Sequence, residues 1–209
     1  ESAMEFDRIA AHDARSVEGE EREAAVIIPV ITREDGQYIL FTKRADHLSD
    51  HPGQMSFPGG GREAEDSDLL DTALREANEE IGLDRQAVTI LGRVDDIRTV
   101  SRYSVRPFVG RIPDREYTPS DAEVAEIVVL PVAGLIDPGN YESERREHPH
   151  YGDVRLHFFS VDDYTVWGAS ANMLVQVLEL ATDWELPPEP DRYTGPDDEL
   201  PPAVRDQVG

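Results

Sequence analysis

The chain has 209 residues, enough to bury one substantial core, and sets 44 acidic against 20 basic side chains for a formal charge of −24. That balance argues against a nucleic-acid backbone or an anionic membrane as the main partner, because both would repel it. With no cysteine, disulfides, thiol catalysis and Cys-ligated zinc are excluded, and no apolar run approaches the roughly 20 residues that span a bilayer.

In chain order, residues 4–17 predict an amphipathic helix with Phe6, Ile9 and Ala10 on one side, inside an N-terminal extension over 1–23. Residues 24–31 are a continuous apolar, β-branched run, which predicts a buried strand. Asp35-Gly36 is a hairpin signal, with residues 37–42 as its returning strand. Residues 43–61 read as irregular, with Pro52, Gly53, Pro58 and three successive glycines, Gly59, Gly60 and Gly61. A helix is predicted over 68–81, with Asp66 or Ser67 as its cap and Gly82 as its left-handed stop. Strands are expected at 88–94, 105–111, 125–130 and 154–160. A last helix over 169–182 places Leu174, Val177, Leu178 and Ala181 at helical spacing. Beyond Trp184, six prolines and many acids predict a disordered or loosely draped tail over 185–209. Strands and helices mix without regular β-α-β alternation, so the expected fold class is α+β with a mixed sheet, its main domain spanning 24–184.

Of the basic residues only Lys43 is a lysine; the rest are arginine. High acidity with one lysine predicts a halophilic surface, adapted to concentrated salt that screens self-repulsion; a GC-rich genome favouring Arg codons is the plainer alternative. No signal-peptide pattern opens the sequence, so a cytoplasmic location is expected.

The chemistry concentrates in residues 57–83. On the predicted helix Glu76, Glu79 and Glu80 stand at i, i+3 and i+4 and share an arc of roughly 100°. Leu70, Leu74, Ala77 and Ile81 form a separate stripe for the core. Like charges at that spacing repel, and acids in a last turn oppose the helix dipole, each costing about 0.3–1 kcal/mol. Two penalties in one turn mark a place where something compensates. Arg75 supplies one positive charge beside three carboxylates, and the remaining excess suits a hard divalent cation such as Mg2+, which takes oxygen ligands and keeps exchangeable waters. A solvated acidic face is the alternative. The glycines just before the helix favour the metal, since backbone there can approach a metal-bound phosphate closely.

Arg75-Glu76-Ala77-Asn78-Glu79-Glu80-Ile81-Gly82-Leu83 resembles the second half of the Nudix hydrolase signature, G-x5-E-x7-R-E-U-x-E-E-x-G-U with U aliphatic. Ala77 stands at the first aliphatic position. In the first half the acidic position falls on Asp66, and eight residues rather than seven separate it from Arg75. Upstream, Leu40-Phe41-Thr42-Lys43-Arg44-Ala45, Gly53 and Phe57-Pro58-Gly59-Gly60 resemble the added pattern of the coenzyme A diphosphatase branch, L-L-T-x-R-(S/A)-x3-R-x3-G-x3-F-P-G-G. Ser49 replaces that pattern's second arginine, with His51 nearby. Residues 99–109, 123–131 and Val166-Trp167-Gly168 also resemble this branch, so the resemblance spans about 24–182.

The resemblance implies a Nudix-type α/β/α sandwich with a mixed β-sheet, and hydrolysis of a nucleoside diphosphate linked to a group X. For coenzyme A the products would be 3′,5′-ADP and 4′-phosphopantetheine. Mg2+ or Mn2+ would be held by Glu76, Glu79 and Glu80. Glu76, Arg75 and Glu79 form the expected catalytic set, Arg75 either orienting a ligating carboxylate or making an ordinary i, i+4 pair with Glu79 or Asp71. Substrate contacts are expected from Arg44, Gly59, Gly60 and Gly61, and more weakly from Arg98, Arg102 and Arg106. The general base is left among Glu76, Glu116, Glu123, Glu126, His148 and His150, and Trp167 reads as core packing. Alternatives are Nudix activity on ADP-ribose, dinucleotides or nucleoside triphosphates, and a non-catalytic nucleotide-binding module. The expected partner is a small-molecule nucleotide, with no nucleic acid and no membrane, and a homodimer stays open.

Overall fold

The computed structural model describes residues 4–19, 22–120, 122–148 and 152–207. The elements run α1 (Phe6–Ala11), β1 (Arg22–Arg33), β2 (Gly36–Arg44), β3 (Met55–Ser56), β4 (Gly59–Gly61), α2 (Leu69–Ile81), β5 (Thr89–Arg93), β6 (Ile97–Arg98), β7 (Tyr103–Arg111), β8 (Val124–Pro131), α3 (Val132–Leu135), β9 (Tyr141–His148), β10 (Gly152–Val161), β11 (Tyr164–Trp167), α4 (Gly168–Ala181) and β12 (Arg192–Thr194). The apolar run that opens the main domain becomes the central strand β1, buried from Ala24 to Ile31 because both of its faces are covered. Ala25, Ile27 and Ile31, with Leu40 of β2, pack against Leu69, Ala73, Ala77 and Ile81 of α2. Val26, Ile28 and Val30, with Phe41, pack on the other side with Leu174, Val177 and Leu178 of α4.

The main sheet is mixed, ordered β3-β2-β1-β7-β5, with β1 antiparallel to β2 and parallel to β7. The β1–β2 ladder stops at Val30↔Ile39, and the run 55–61 occupies the fork beyond it. There β3 pairs Ser56 with Thr42 of β2, and β4 pairs Gly60 with Ala25 of β1. This is the expected α+β sandwich, with helices on both faces of a mixed sheet. A second sheet, β11-β10-β9-β12, joins the α4 side.

Several local expectations are corrected. Residues 43–61 are not wholly irregular: β3 and β4 lie within them. The first helix stops at Ala11, and Ala10 is exposed while Ile9 is buried. Residues 12–18 leave the helix because Asp95 and Asp96 take their backbone: Arg15 N–H donates to Asp95 at 2.9 Å and Val17 N–H to Asp96 at 3.1 Å. Asp68, not Asp66 or Ser67, caps α2 by accepting from the Asp71 N–H; Gly82 ends the helix at φ 67° as expected. Leu70 and Leu74 pack against the core as expected but only half-buried, and the fully buried stripe is Leu69, Thr72, Ala73, Ala77 and Ile81.

The segment 185–207 is also not loosely draped. Strand β12 pairs in parallel with β9, and Arg146 of β9 donates to the carbonyls of Gly195, Asp198 and Glu199. The buried carboxylate of Glu144 sits between Arg146 at 2.9 Å and Arg192 at 2.8 Å. An acidic, proline-rich composition says nothing of arginines elsewhere in the chain that hold its backbone.

In the second sheet His157 is buried and its Nδ1 lies 2.7 Å from the Tyr141 hydroxyl. Burial, with Arg155 nearby, pulls its pKa down to about 4. Unfolded, the ring binds its proton near 6.5. Between those values the unfolded chain holds the extra proton, so stability is full above about pH 6.5 and falls as pH drops towards 4, by about 3 kcal/mol. Denaturant titrations at pH 7 and pH 4.5 test this: His157→Gln is expected to lose clearly less stability between the two than wild type.

Candidate active site

The glycine run and α2 meet through one carboxylate. In extended β4 a Cβ on Gly59 would lie 2.4 Å from the Ala25 carbonyl oxygen, and one on Gly60 2.5 Å from Glu76 Oε1. Gly61 has room, with the Tyr103 ring 3.7 Å away. None of the three has a left-handed φ, so closeness of approach, not backbone freedom, explains glycine at 59 and 60.

Arg75 organises the acids around this contact. Its Nε and Nη2 donate to the two carboxylate oxygens of Asp66 at 2.8 and 3.0 Å, the parallel fork that suits a guanidinium. Nη1 donates to Glu76 Oε1 at 3.1 Å, and Nη2 to the Gly61 carbonyl at 3.1 Å. The Glu79 contact is long, 3.4 Å, and Glu79 is largely exposed, so this i, i+4 pair is worth under about 1 kcal/mol. Asp71 pairs with Arg85 instead. Asp66 is buried and also accepts from the Glu63 N–H and the Thr72 hydroxyl, both at 2.9 Å. Donation by Arg75, helped by these two bonds against desolvation, holds the Asp66 carboxyl well below the usual range. The acid at the irregular signature position therefore anchors Arg75. That role was missed, although the acidic residue at 66 was itself visible.

The three glutamates differ. Glu76 is turned inward, 18% exposed, and desolvation raises its pKa against the donation from Arg75. Glu79 is exposed and Glu80 half-buried. The last turn, unfavourable for acids, is offset from outside the helix: the Ser120 N–H donates to the Glu80 carbonyl at 2.9 Å, its hydroxyl to the Glu79 carbonyl, and Arg115 to the Gly82 carbonyl at 3.0 Å. These groups come from the loop between β7 and β8, and no local pattern announces them.

The remaining candidates scatter. Arg44 ends β2 and donates through Nε to the Asp50 carbonyl at 3.0 Å. Arg106 clasps Asp96 and Ser16, and Arg98 donates to the Glu18 carbonyl, so both hold the N-terminal segment. Arg102 lies in the turn before β7 with φ 62°. Glu126 accepts from the Tyr164 hydroxyl; Glu116 and Glu123 are exposed and His148 half-buried. His150 lies outside the described residues. Trp167 stacks on Phe158, with centroids 6.1 Å apart. A cleft of about 490 Å³ opens beside Gly61 and Asp66, and Arg22, Arg62 and Tyr103 are among the residues that line it. Arg22 and Tyr103 are register partners at the start of the parallel pair β1–β7, with the guanidinium 5.6 Å over the ring. Sequence reasoning missed Arg62 beside the glycine run, and it missed Arg22 and Tyr103 because a parallel register across about 80 residues leaves no local signal.

Glu63, Glu76 and Glu79 all lie within 3.7 Å of the one guanidinium of Arg75, which leaves an excess of negative charge. Among the described residues no three carboxylates or imidazoles are gathered as a ready-made metal shell. The carboxylate oxygens of the α2 turn are the donor type that a hard divalent cation takes, and the absent Cβ of Gly60 keeps the strand clear of Glu76.

A NUDIX domain profile matches residues 21–169. A protein of Enterobacter sp. (strain 638) with the name Uncharacterized Nudix hydrolase NudL is 38% identical over 157 residues, covering 73% of this chain and 79% of its own. The protein of the same name from Salmonella paratyphi B is 37% identical over 158 residues, 74% of this chain and 80% of its own. Among solved structures, RenU, a Nudix hydrolase from M. smegmatis, aligns at a TM-score of 0.47 and 18% identity over 60% of this chain and 85% of that one.

Proposed function

Given that the chain belongs to the Nudix hydrolase family, we propose that it is a metal-dependent diphosphatase whose substrate is coenzyme A or a derivative, cut to 3′,5′-ADP and 4′-phosphopantetheine. The observation that carries the hydrolase reading is the inward Glu76 carboxylate seated on Gly60, with Arg75 and Asp66 behind it. The coenzyme A reading is supported by the segment from Leu40 to Gly60, which joins the end of β2 to β4 through the fork in the sheet. Within it Phe57 stacks on Phe41 at 4.9 Å, and the Pro58 carbonyl accepts from the Ile27 N–H at 2.9 Å.

Glu76 and Glu80, with Glu79 assisting directly or through water, would hold Mg2+ or Mn2+. Such an ion, when bound, neutralises bridging phosphate oxygens and acidifies a coordinated water. The chain's own part is positional. Asp66 fixes Arg75, Arg75 fixes one oxygen of Glu76, and bare backbone at Gly60 and Gly61 admits the diphosphate. Arg44, at the rim of the same fork, suits a phosphate oxygen.

The test is a comparison of kcat/KM for coenzyme A, ADP-ribose, a dinucleoside polyphosphate and a nucleoside triphosphate, with Mg2+ or Mn2+ present. Coenzyme A is expected to lead by at least about tenfold, or ~1.4 kcal/mol. A preference for ADP-ribose would overturn the substrate assignment, and binding without turnover at any metal concentration would favour a nucleotide sensor.

A further inference from the structure

The segment that composition marks as a tail ends against the other half of the same fork. Val204 is fully buried, and the Trp167 indole N–H donates to Gln207 Oε1 at 2.8 Å. Together with the end of β2 and the start of β11, this segment encloses a pocket of about 500 Å³. The pocket adjoins the catalytic turn through one short piece of chain. Met55 lines it and Gly60 carries the Glu76 contact, and five extended residues cover no more than about 17 Å.

The chemistry of the wall is specific. Three carboxylates, Asp46, Asp163 and Asp206, outnumber the single ammonium of Lys43, whose Nζ lies 5.9 Å from the centroid of the Tyr164 ring. A second phosphate or carboxylate would be repelled here. The uncharged groups are suited to amides. Tyr164 gives its proton to Glu126 and so presents oxygen lone pairs to an N–H. Gln207 commits Oε1 to Trp167 and so presents its NH2 to a carbonyl.

We propose that this pocket, walled on one side by residues 203–207, receives the far end of a long, uncharged, amide-bearing arm of the substrate. The inference rests on the diphosphatase reading and deepens it: an arm anchored at the catalytic turn has at most about 17 Å to cross to this pocket. Ala203, Asp206 and Gln207 thereby become part of the specificity site.

Two measurements test it on the full chain. Pantetheine alone, without any nucleotide, is expected to shift the Trp167 Nε1–H resonance of the wild-type protein and to do so at least severalfold more weakly in Gln207→Ala. In the same variant the ratio of kcat/KM for coenzyme A to that for ADP-ribose is expected to fall about tenfold, mainly through KM. An unperturbed Trp167 signal, or an unchanged ratio, overturns the pocket assignment. Pantetheine binding without hydrolysis of coenzyme A would leave the pocket standing and remove the functional reading instead.

Discussion

Glu76→Gln is expected to lower turnover by about 10³-fold, ~4 kcal/mol in the barrier, while the thermal midpoint stays within about 3 °C of wild type. The two halves of this expectation have separate causes. Glu76 is the carboxylate that β4 is shaped to admit, so the loss of its charge removes the group around which the site is built. In stability terms the charge is a burden: desolvation is the main influence on its pKa and opposes ionisation. A neutral amide of the same size keeps an oxygen to accept from Arg75 and is easier to bury. Steady-state rates beside thermal melts decide it. Wild-type turnover in the variant would reassign the catalytic group; a melt lowered by 10 °C would make the residue structural.

Gly59→Ala should act in the opposite way. The added methyl would meet the Ala25 carbonyl at 2.4 Å and Val26 Cα at 2.7 Å, and this is backbone of the central strand, with no rotamer to yield. Overpacking of this kind costs about 3 kcal/mol, or roughly 6–12 °C in midpoint for a chain of this size. Gly61→Ala is the internal control, because its nearest neighbour is the Tyr103 ring at 3.7 Å. If the two variants melt together, β4 does not lie against β1 as described.

The parts legible in the sequence were those set by short-range pattern. The apolar run of β1, the hairpin at Asp35-Gly36, the helix that ends at Gly82 and the glutamate turn all declare themselves within a few residues. What stayed hidden depends on distant partners. Strand β9 is almost wholly polar in sequence, since beyond Tyr141 its buried residues are Ser143, Glu144 and Arg146 rather than an apolar stripe. Asp66 reads as a displaced signature acid or a helix cap until Arg75 and Thr72 are seen to bind it. Arg106 reads as a phosphate ligand until the fold gives it Asp96 and Ser16. The glycine run was visible, but its reason was not: two of its positions answer to Ala25 and Glu76, which approach from different elements.

The fork between β1 and β2 bears on how the chain reaches this state. The hairpin can form early and locally, but β1 then waits for β7, about 80 residues further on, with one flank and both apolar faces open. Until it arrives, Ala24–Ile31 is an unprotected template for pairing with another chain, and crowded or hot refolding should lose material by aggregation at that step. The strand that seats Gly60 under Glu76 docks on the opposite edge of β1 from β7, so the site is complete only when both edges of β1 are covered.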